Sequence, residues 1–486
     1  MPFYPPPATS PTFGHLLRSF ALGGPGDDLL TEQDVQEAAT RHQVSFASQP
    51  GAIWTPVLTL WAFLWQSASA AKTCTSAVAR ALAWRLGLGQ EACSVNTGAY
   101  CKARAKLPEP FLRDLTTTLA GRLEGLAPES GRWRGRAVKV IDGSVCTAAD
   151  TDENQKAYPQ RDNLPGGVGF PLVRLVVLFG LATAACLDAV FGAYSGKGSG
   201  ETTLARLLLT QLCPRDVLLG DRLFATYWLI AQVLAQKADA VFRLHAHRKR
   251  DGKSLSSRLE RSLGERDNLV VWTKPAKRPA WMDEATYASM PPELRVRIVW
   301  QRVEMPGFRV QEVEVVTTLL DAEAYPAAEV VSLYRRRWWA ELNLRSLKTG
   351  MKMEHLWCKT PEMVRKEVWG CLLAYNLVRA AQARAAWARR EQPEHLSFAQ
   401  TRGLLEEMRG LLSWSEGEHR AGVVRALWQA IGSCRLVERP DRVEPRAVKR
   451  GPKPYPRLRQ TRAKARERLL SAPCKGTEQW HGQEGK

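Results

Sequence analysis

The stretch AVKVIDGSV, residues 137–145, marks a change in the composition of the chain from helical runs to β-branched and apolar ones. Such a run, ended by Gly and Ser, is typical of a β-strand. The predicted strands are 137–145, 172–183, 186–194, 216–224 and 240–246, and the predicted helices among them are 201–212 and 226–238. This order predicts an α/β sheet that begins as a three-stranded meander and continues through helical crossovers.

The segments on either side of this sheet have different patterns. Residues 29–126 contain Ala- and Leu-rich helical runs, residues 247–321 favour a mainly β insertion, and helices resume at 328. The tail, 435–468, is dense in Arg, Lys and Pro, which is typical of a flexible arm that binds nucleic acid. The predicted division is an all-helical N-terminal domain (1–130), a core in two parts (131–246 and 325–395), the β-rich insertion between them (247–324) and a helical, basic C-terminal region (396–486).

Positive charge dominates the composition of the 486 residues, with 69 Lys and Arg against 49 Asp and Glu, a formal charge of +20. Such an excess favours a polyanionic partner, in the first place nucleic acid. An anionic membrane is the alternative, and the uncharged stretch 52–71 is about long enough to span a bilayer. Its apolar residues recur at helical spacing, which favours an amphipathic core helix and no membrane partner.

The cysteines bear on the cellular compartment. All ten are scattered without a Cys-x2-Cys pair, so neither a zinc knuckle nor a disulfide framework is indicated. The N-terminal residues lack the basic and apolar regions of a signal peptide. These features predict a cytoplasmic protein with reduced thiols.

Two aspartates follow apolar runs of the predicted sheet. Asp142 follows VKVI and Asp221 follows VLLG, so each is expected at the end of a strand. Residues at the carboxyl ends of strands in an open α/β sheet face the crevice in which ligands bind. A single aspartate there is more often a turn residue, but two on strands that can be neighbours favour a metal site.

A third carboxylate lies in YRRRWWAELNLRSLK, residues 334–348, the most basic helix-like stretch of the chain. At about 100° per residue, one helix face of this stretch is shared by Tyr334, Arg337, Glu341 and Lys348, with Arg345 beside it. Pairing of the glutamate with arginines one turn away would stabilise the helix by only about 0.2–0.5 kcal/mol. Because one carboxylate balances only one of the cations, the stretch predicts that an external anion such as phosphate binds here.

Convergence of Asp142, Asp221 and Glu341 would require a cation, and hard oxygen ligands suit Mg²⁺ or Mn²⁺. Two such ions, about 4 Å apart, can activate a water or a 3′-hydroxyl and stabilise the leaving oxygen of a phosphodiester. The sequence therefore predicts a two-metal site formed by the three acids. Arg337 and Lys348 are expected to hold phosphates near the ions.

The stretch 334–348 resembles the signature of DDE transposases of bacterial insertion sequences, in the IS-four type branch marked by Tyr-x2-Arg-x3-Glu-x6-Lys. Every signature position matches, and VIDGS and LLGDRLF look like the two aspartate motifs of that family. The resemblance covers roughly 137–380. Ala340 and Leu344 depart from it, since a larger aliphatic residue and an aromatic are common at these positions.

The resemblance implies a ribonuclease-H-like catalytic core interrupted by the β insertion. It also implies metal-dependent cleavage at the ends of a mobile element, in related enzymes through hairpin intermediates, followed by strand transfer into target DNA. The expected partners are double-stranded DNA, as terminal inverted repeats and target, and a second copy of the chain in a synaptic homodimer; the expected location is the bacterial cytoplasm, at the nucleoid.

Individual DNA contacts follow from the same resemblance. The residues expected to contact DNA are Tyr334, Arg337, Arg345, Lys348 and Arg222. In relatives a tryptophan of the insertion stacks on a flipped base, for which the candidates are Trp272, Trp281 and Trp300, each of which can equally belong to the core. Two alternative functions share the fold: a structure-specific nuclease without strand transfer, and a catalytically silent DNA-binding protein.

Overall fold

The computed structural model describes residues 18, 20, 29–49, 51–87, 89–196, 198–251, 256–302, 312–436 and 459–471. Within them the chain forms a mixed α/β fold around a nine-stranded sheet. The strands are Val138–Thr147 (β1), Leu172–Gly180 (β2), Cys186–Ala193 (β3), Val217–Gly220 (β4), Asp239–Arg243 (β5), Ser257–Gly264 (β6), Asp267–Thr273 (β7), Glu293–Arg302 (β8) and Glu312–Thr317 (β9).

Helices precede the sheet, connect its strands and follow it. Those before it are Glu32–Arg41 (α1), Pro56–Ala68 (α2), Cys74–Gly87 (α3), Gly98–Ala105 (α4) and Glu109–Gly125 (α5). Those among its strands are Asp152–Ala157 (α6), Glu201–Arg206 (α7), Tyr227–Ala235 (α8) and Glu284–Ser289 (α9). Those after it are Ala327–Arg335 (α10), Trp338–Arg345 (α11), Pro361–Ala388 (α12), Phe398–Trp414 (α13), Gly417–Ser433 (α14) and Arg462–Ser471 (α15).

The strand order of the sheet is β3-β2-β1-β4-β5-β9-β8-β7-β6. Strands β1 to β3 pair antiparallel as the predicted meander. Strands β4 and β5 then pair parallel, β4 to β1 and β5 to β4, so each is reached through a crossover that contains a helix. The predicted order of strands and helices is thus confirmed, and the parallel pairs bring the carboxyl ends of β1, β4 and β5 to one edge of the sheet.

The β-rich insertion extends this sheet. Strand β9 pairs antiparallel with β5, and β8, β7 and β6 follow outward in turn. The sequence predicted strands near β7, β8 and β9 but missed β6, whose side chains are almost all exposed or half-buried. An edge strand without a buried face has no apolar alternation to recognise.

The long helix α12 joins the sheet to the helical regions. It spans 28 residues, most of them buried, and packs against α2 and α5 on one side and α13 and α14 on the other. The amide of Asn376 donates to the carbonyl of Cys186 and accepts from its N–H, both at 2.8 Å. These two hydrogen bonds fasten α12 to the start of β3. They also satisfy polar groups that are buried away from water.

The uncharged stretch 52–71 forms α2, a helix of 13 residues. It is covered on all sides, since Thr59, Gln66 and Ser67 are buried together with its apolar residues. The expected amphipathic pattern was therefore wrong, although the predicted core helix is confirmed. In the described part of the chain, no helix combines the length and apolar character needed to cross a membrane.

Two predicted features fall partly beyond these ranges. The basic arm lies outside the described residues between 437 and 458, and so does the N-terminal segment 1–17. Every cysteine within the described residues is a free thiol.

Candidate active site

Sheet register places the first two acids side by side. Strand β1 pairs in parallel with β4 at Val138 to Val217 and ends this pairing at Val140 to Leu219. Two residues further along each chain are Asp142 and Asp221, which therefore lie level with each other on neighbouring strands. Since β4 ends at Gly220, both carboxylates lie at the carboxyl edge of the parallel pair.

Asp142 is not at the end of its own strand, contrary to the sequence prediction. Strand β1 continues to Thr147, and Asp142 lies opposite Val177 of β2. The long antiparallel pairing with β2 holds β1 extended beyond the point where the short β4 stops. Asp221 does follow its strand directly, and one carboxylate oxygen also accepts from the N–H of Leu223 at 2.8 Å, as in an Asx turn.

The electrostatic environment of Asp142 is unusual. Burial raises the pKa of the carboxyl group to about 6. The guanidinium of Arg337 and a hydrogen bond from the N–H of Gly143 oppose this shift, and the negative charges of Asp221 and Glu341 add to it. A desolvated carboxylate near two others is a group that gains from a bound cation.

The sequence predicted one continuous helix around Glu341, but this segment is broken. Helix α10 ends at Arg335 and α11 begins at Trp338, and between them the N–H groups of Arg336 and Arg337 bond three residues back, at 3.0 and 2.9 Å. After α11, Ser346–Gly350 forms a π-helical turn. Such turns are frequent at functional sites, and this one carries Lys348.

Despite these irregularities, the segment faces the two aspartates. One cleft of about 490 Å³ is lined by Asp142, Gly143, Ser144, Asp221, Arg337, Glu341, Leu344, Arg345, Lys348, Thr349 and Glu354. All three predicted acids and three of the five predicted DNA contacts therefore line the same cleft.

Arg337 lies among the carboxylates. One guanidinium nitrogen donates to Glu341 at 2.5 Å, and another is 3.6 Å from Asp142. The intrahelical pairing that the sequence offered as an alternative is thus present, but the same arginine also reaches across to the sheet. Arg345 and Lys348 have no such carboxylate contact among the described residues and leave the cleft positive on this side.

The other two residues predicted to contact DNA, Tyr334 and Arg222, do not line the cleft. Tyr334 does not line the cleft and is only 7% exposed. Burial raises the pKa of its hydroxyl, which bonds to Arg337, while the positive charges of Arg337 and Arg243 oppose the shift. Arg222 is exposed on the turn after Asp221 but is also not part of the cleft lining. Tyr334 is therefore in a position to orient Arg337 from behind.

Buried polar contacts hold the Glu341 helix in place. Asn343, on the opposite side of α11, accepts from Arg379 of α12 at 2.8 Å, and Arg379 also bonds the hydroxyl of Tyr375 at 2.9 Å. Arg336 is paired with Glu394 beyond α12 at 3.3 Å. Arg336 thus fastens the helix junction to the core.

Two acidic residues near the cleft were missed. Glu354 lines it because the N–H of Thr147, at the end of β1, bonds the carbonyl of Glu354 at 2.9 Å. Glu201 packs over Gly143 and pairs with Arg174 at 2.7 Å. Each of these contacts joins residues that are far apart in the chain. No local sequence pattern therefore indicated that Glu354 and Glu201 lie near the cleft.

The chemical nature of the ligands suits a divalent metal ion, since every acidic side chain in the cleft offers hard carboxylate oxygens. Its geometry is not that of a closed metal site. Within the described residues, no three Asp, Glu, His or Cys side chains converge closely enough to hold one ion. Arg337 takes part of the space between Asp142 and Glu341, so binding of an ion by all three acids requires this side chain to move.

The three candidate tryptophans of the insertion differ in exposure. Trp272 is fully buried, and Trp300 is half-buried against the core. Trp281 is 42% exposed, with the guanidinium of Arg206 3.5 Å from the centre of its ring. Core packing therefore accounts for Trp272, and Trp281 is the most accessible of the three.

Comparisons with known proteins identify the family of this chain. The transposase DDE domain family matches residues 133–377, half of the chain, and includes all three acids. The chain is 28% identical over 371 residues to the transposase InsG for insertion sequence element IS4 of Escherichia coli strain K12, covering 74% of this chain and 78% of InsG. A structure of the piggyBac transposase synaptic complex with hairpin DNA matches over 86% of this chain and 82% of that one, at 10% identity and a TM-score of 0.38.

The chain therefore belongs to the DDE transposase family. Within that family its similarity is to an IS4-type transposase, and its activity is that of an enzyme that acts on DNA. Members of this family use divalent metal ions, and the carboxylate cleft is where the described residues offer ligands for one.

Proposed function

We propose that this protein cleaves DNA at the ends of an insertion sequence and joins the freed ends to a target, with the carboxylate cleft as its catalytic centre. The observation that carries the proposal is the juxtaposition of Asp142 and Asp221, level on two parallel strands, with Glu341 in the same cleft. The surrounding strand order, a meander followed by two parallel strands, supports the proposal of a ribonuclease-H-like core.

In this proposal the three acids hold two Mg²⁺ or Mn²⁺ ions, which would activate the attacking oxygen and stabilise the leaving one. The remaining residues of the cleft bind and orient DNA. Lys348 and Arg345 attract the phosphates on either side of the scissile bond as cations, and Arg337 offers a planar fork for one phosphate once it leaves Glu341. Tyr334 fixes the orientation of Arg337, and Arg222 contacts the DNA strand outside the cleft.

The other parts of the chain supply binding and assembly. We infer that the helices α1 to α5 recognise the terminal inverted repeat and that residues beyond 396 add affinity for the DNA backbone, which depends strongly on salt. Two copies of the chain are expected to hold two element ends in one synaptic complex. The division into domains at 130, 246, 324 and 395 remains part of this proposal.

The test uses a supercoiled plasmid that carries the terminal repeats of the element, with Mg²⁺. Joined products support the transposase, nicking without joining indicates a nuclease, and a gel shift without cleavage indicates a silent DNA-binding protein. Glu341→Gln is expected to abolish cleavage and preserve the gel shift. Glu329→Gln is the matched control, since Glu329 is paired with Arg134 at the surface; a Glu341→Gln protein that still cuts would remove Glu341 from the centre.

A further inference from the structure

Two cysteine thiols lie in contact where helices α3 and α4 meet. Cys74 is the first residue of α3, and Cys101 lies in the middle of α4. They are 27 positions apart in the chain, and the S–H of Cys101 donates to the sulfur of Cys74 at 3.7 Å. Both are free thiols. The fold thus brings together two cysteines that are merely scattered in the sequence.

Small molecules have access to this pair of thiols. Both side chains are half-buried, and both line a cavity of about 460 Å³ between the N-terminal helices and the core. Cys358 and Cys371 line the same cavity but are buried, and burial raises the pKa of each of these two thiols. Because the reactivity of a thiol depends on its access and its ionisation, the half-buried pair is the reactive part of the cavity wall.

The hydrogen bonds around the pair are directed at Cys74. Its sulfur accepts from the side-chain amide of Gln66 at 3.6 Å and from the S–H of Cys101, and it lies at the N-terminus of α3, where negative charge is favoured. Burial raises the pKa of Cys101, the neighbouring Cys74 adds to this shift, and Arg104 opposes it. Cys74 therefore has the surroundings of an attacking sulfur, and Cys101 those of the resolving thiol.

A buried side chain of α2 fixes the position of the pair. Gln66 is only 9% exposed, and while its amide donates to Cys74, its oxygen accepts from the hydroxyl of Tyr100 at 2.6 Å and from Arg104 at 3.0 Å. Tyr100 and Arg104 flank Cys101 along α4. A disulfide requires the two sulfurs to approach to about 2 Å, which rotation of the two cysteine side chains can supply while the helices stay in place.

We propose that Cys74 and Cys101 form an oxidation site, which hydrogen peroxide converts to an intramolecular disulfide and a small thiol reduces again. The thiolate of Cys74 attacks one peroxide oxygen, so an S–O bond forms, the O–O bond breaks, and the leaving hydroxide takes up the proton that Cys74 released. The sulfur of Cys101 then attacks the sulfenic acid, an S–S bond replaces the S–O bond, and hydroxide leaves as water with the proton of Cys101. The two thiols lose two electrons, and the peroxide is reduced to two waters.

The disulfide ties the first turn of α3 to α4. Since it closes a loop of the chain, it restricts the unfolded state and is expected to stabilise the folded one. The helices that it joins are among those to which we assign recognition of the terminal repeat. The oxidation itself does not depend on that assignment, because the described lining of the carboxylate cleft includes neither cysteine.

The experiment treats reduced, full-length protein with hydrogen peroxide, blocks the remaining thiols with N-ethylmaleimide and maps disulfides by mass spectrometry of tryptic peptides. The wild-type protein is expected to lose two thiols and about 2 Da, with peptide 73–80 joined to peptide 86–102. Because the second peptide also carries Cys93, Cys93→Ser is the matched control and should form the same link. Cys101→Ser should form no link and should retain a sulfenic acid at Cys74, which dimedone labels.

Thermal unfolding supplies a second measurement. The oxidised wild-type protein is expected to melt at a higher temperature than the reduced one, and dithiothreitol should reverse both this shift and the change in mass. Cys101→Ser should show neither. The proposal would be overturned by a wild-type protein that retains both thiols under peroxide, by a link from Cys74 to Cys93, or by a link that also forms in Cys101→Ser. The map of the wild-type protein needs no variant, so a variant that fails to fold leaves the result decisive.

Discussion

The guanidinium of Arg337 donates to the carboxylate of Glu341 one helical turn away, at 2.5 Å, and lies 3.6 Å from Asp142. It therefore occupies, in part, the position that a metal ion held by these acids would take. Its positive charge separates carboxylates that would otherwise repel one another. This relationship predicts a competition between the arginine and divalent ions.

Arg337→Ala tests the competition. Without metal, the variant is expected to lose roughly 1–3 kcal/mol of stability, because acids in the cleft lose their internal cation. Added Mg²⁺ is expected to raise its melting temperature more than that of the wild type, since the ion then replaces the missing charge. The control is Arg336→Ala, which removes a pair with Glu394 outside the cleft. Equal responses of all three proteins to Mg²⁺ would contradict the prediction.

Asp142→Asn is expected to stabilise the metal-free protein while abolishing cleavage. Burial raises the pKa of Asp142 from 3.8 to about 6, so the folded state disfavours the ionised form. The wild-type protein therefore loses stability as the pH rises from about 4 through about 6, and the asparagine variant does not. Above this window the variant should be more stable by roughly 1–3 kcal/mol, and below it the difference should disappear.

Thermal unfolding of both proteins from pH 4 to pH 8 checks this expectation. Asp162→Asn, a substitution at an exposed position, is the control and should track the wild type at every pH. A wild-type protein that remains as stable as Asp142→Asn above pH 7 would show that the carboxylate is not desolvated.

The parts of this fold that the sequence predicted are those encoded by local patterns. Strands β1 to β5 and their helices have strongly apolar cores, and Asp221 follows its strand directly. The extent of β1 beyond Asp142 was not predictable, because it depends on pairing with β2, whose partner residues lie at least 25 positions away. Strand β6 has no buried face, so its sequence lacks the apolar alternation of a strand.

In the candidate site, too, local patterns were predictable and long-range contacts were not. Local patterns predicted the three acids and their cations: apolar runs before Asp142 and Asp221 predicted strand ends, and the stretch 334–348 carries Glu341 and the cations. The break at Arg336 and Arg337 could not be predicted, because arginine is a good helix former and nothing in the local sequence marks the turn. Glu354 and Glu201 approach the cleft through contacts with Thr147 and Gly143, which only the folded chain creates.

Lys348→Gln is expected to weaken binding of all DNA sequences alike. A cation that contacts phosphate releases counterions on binding, so its removal should lower the slope of log K against log salt concentration by about one. Lys237→Gln is the matched control, because Lys237 is exposed and precedes β5, at the opposite edge of the sheet from Asp221. Titrations at several salt concentrations measure both slopes, and an unchanged slope for Lys348→Gln would exclude a phosphate contact.

Gly143→Ala tests how closely the neighbours of Asp142 are packed. A Cβ atom at this position would lie 2.7 Å from the carboxyl carbon of Glu201, which Arg174 holds in place. We expect the substitution to destabilise the protein by roughly 1–3 kcal/mol and to slow cleavage, because relief of the clash moves either Glu201 or the strand that carries Asp142. Glu201→Ala removes the obstacle, so the double variant should recover stability relative to Gly143→Ala alone. A double-mutant cycle on unfolding free energy and cleavage rate measures this coupling, and strictly additive effects would show that the two residues do not constrain each other.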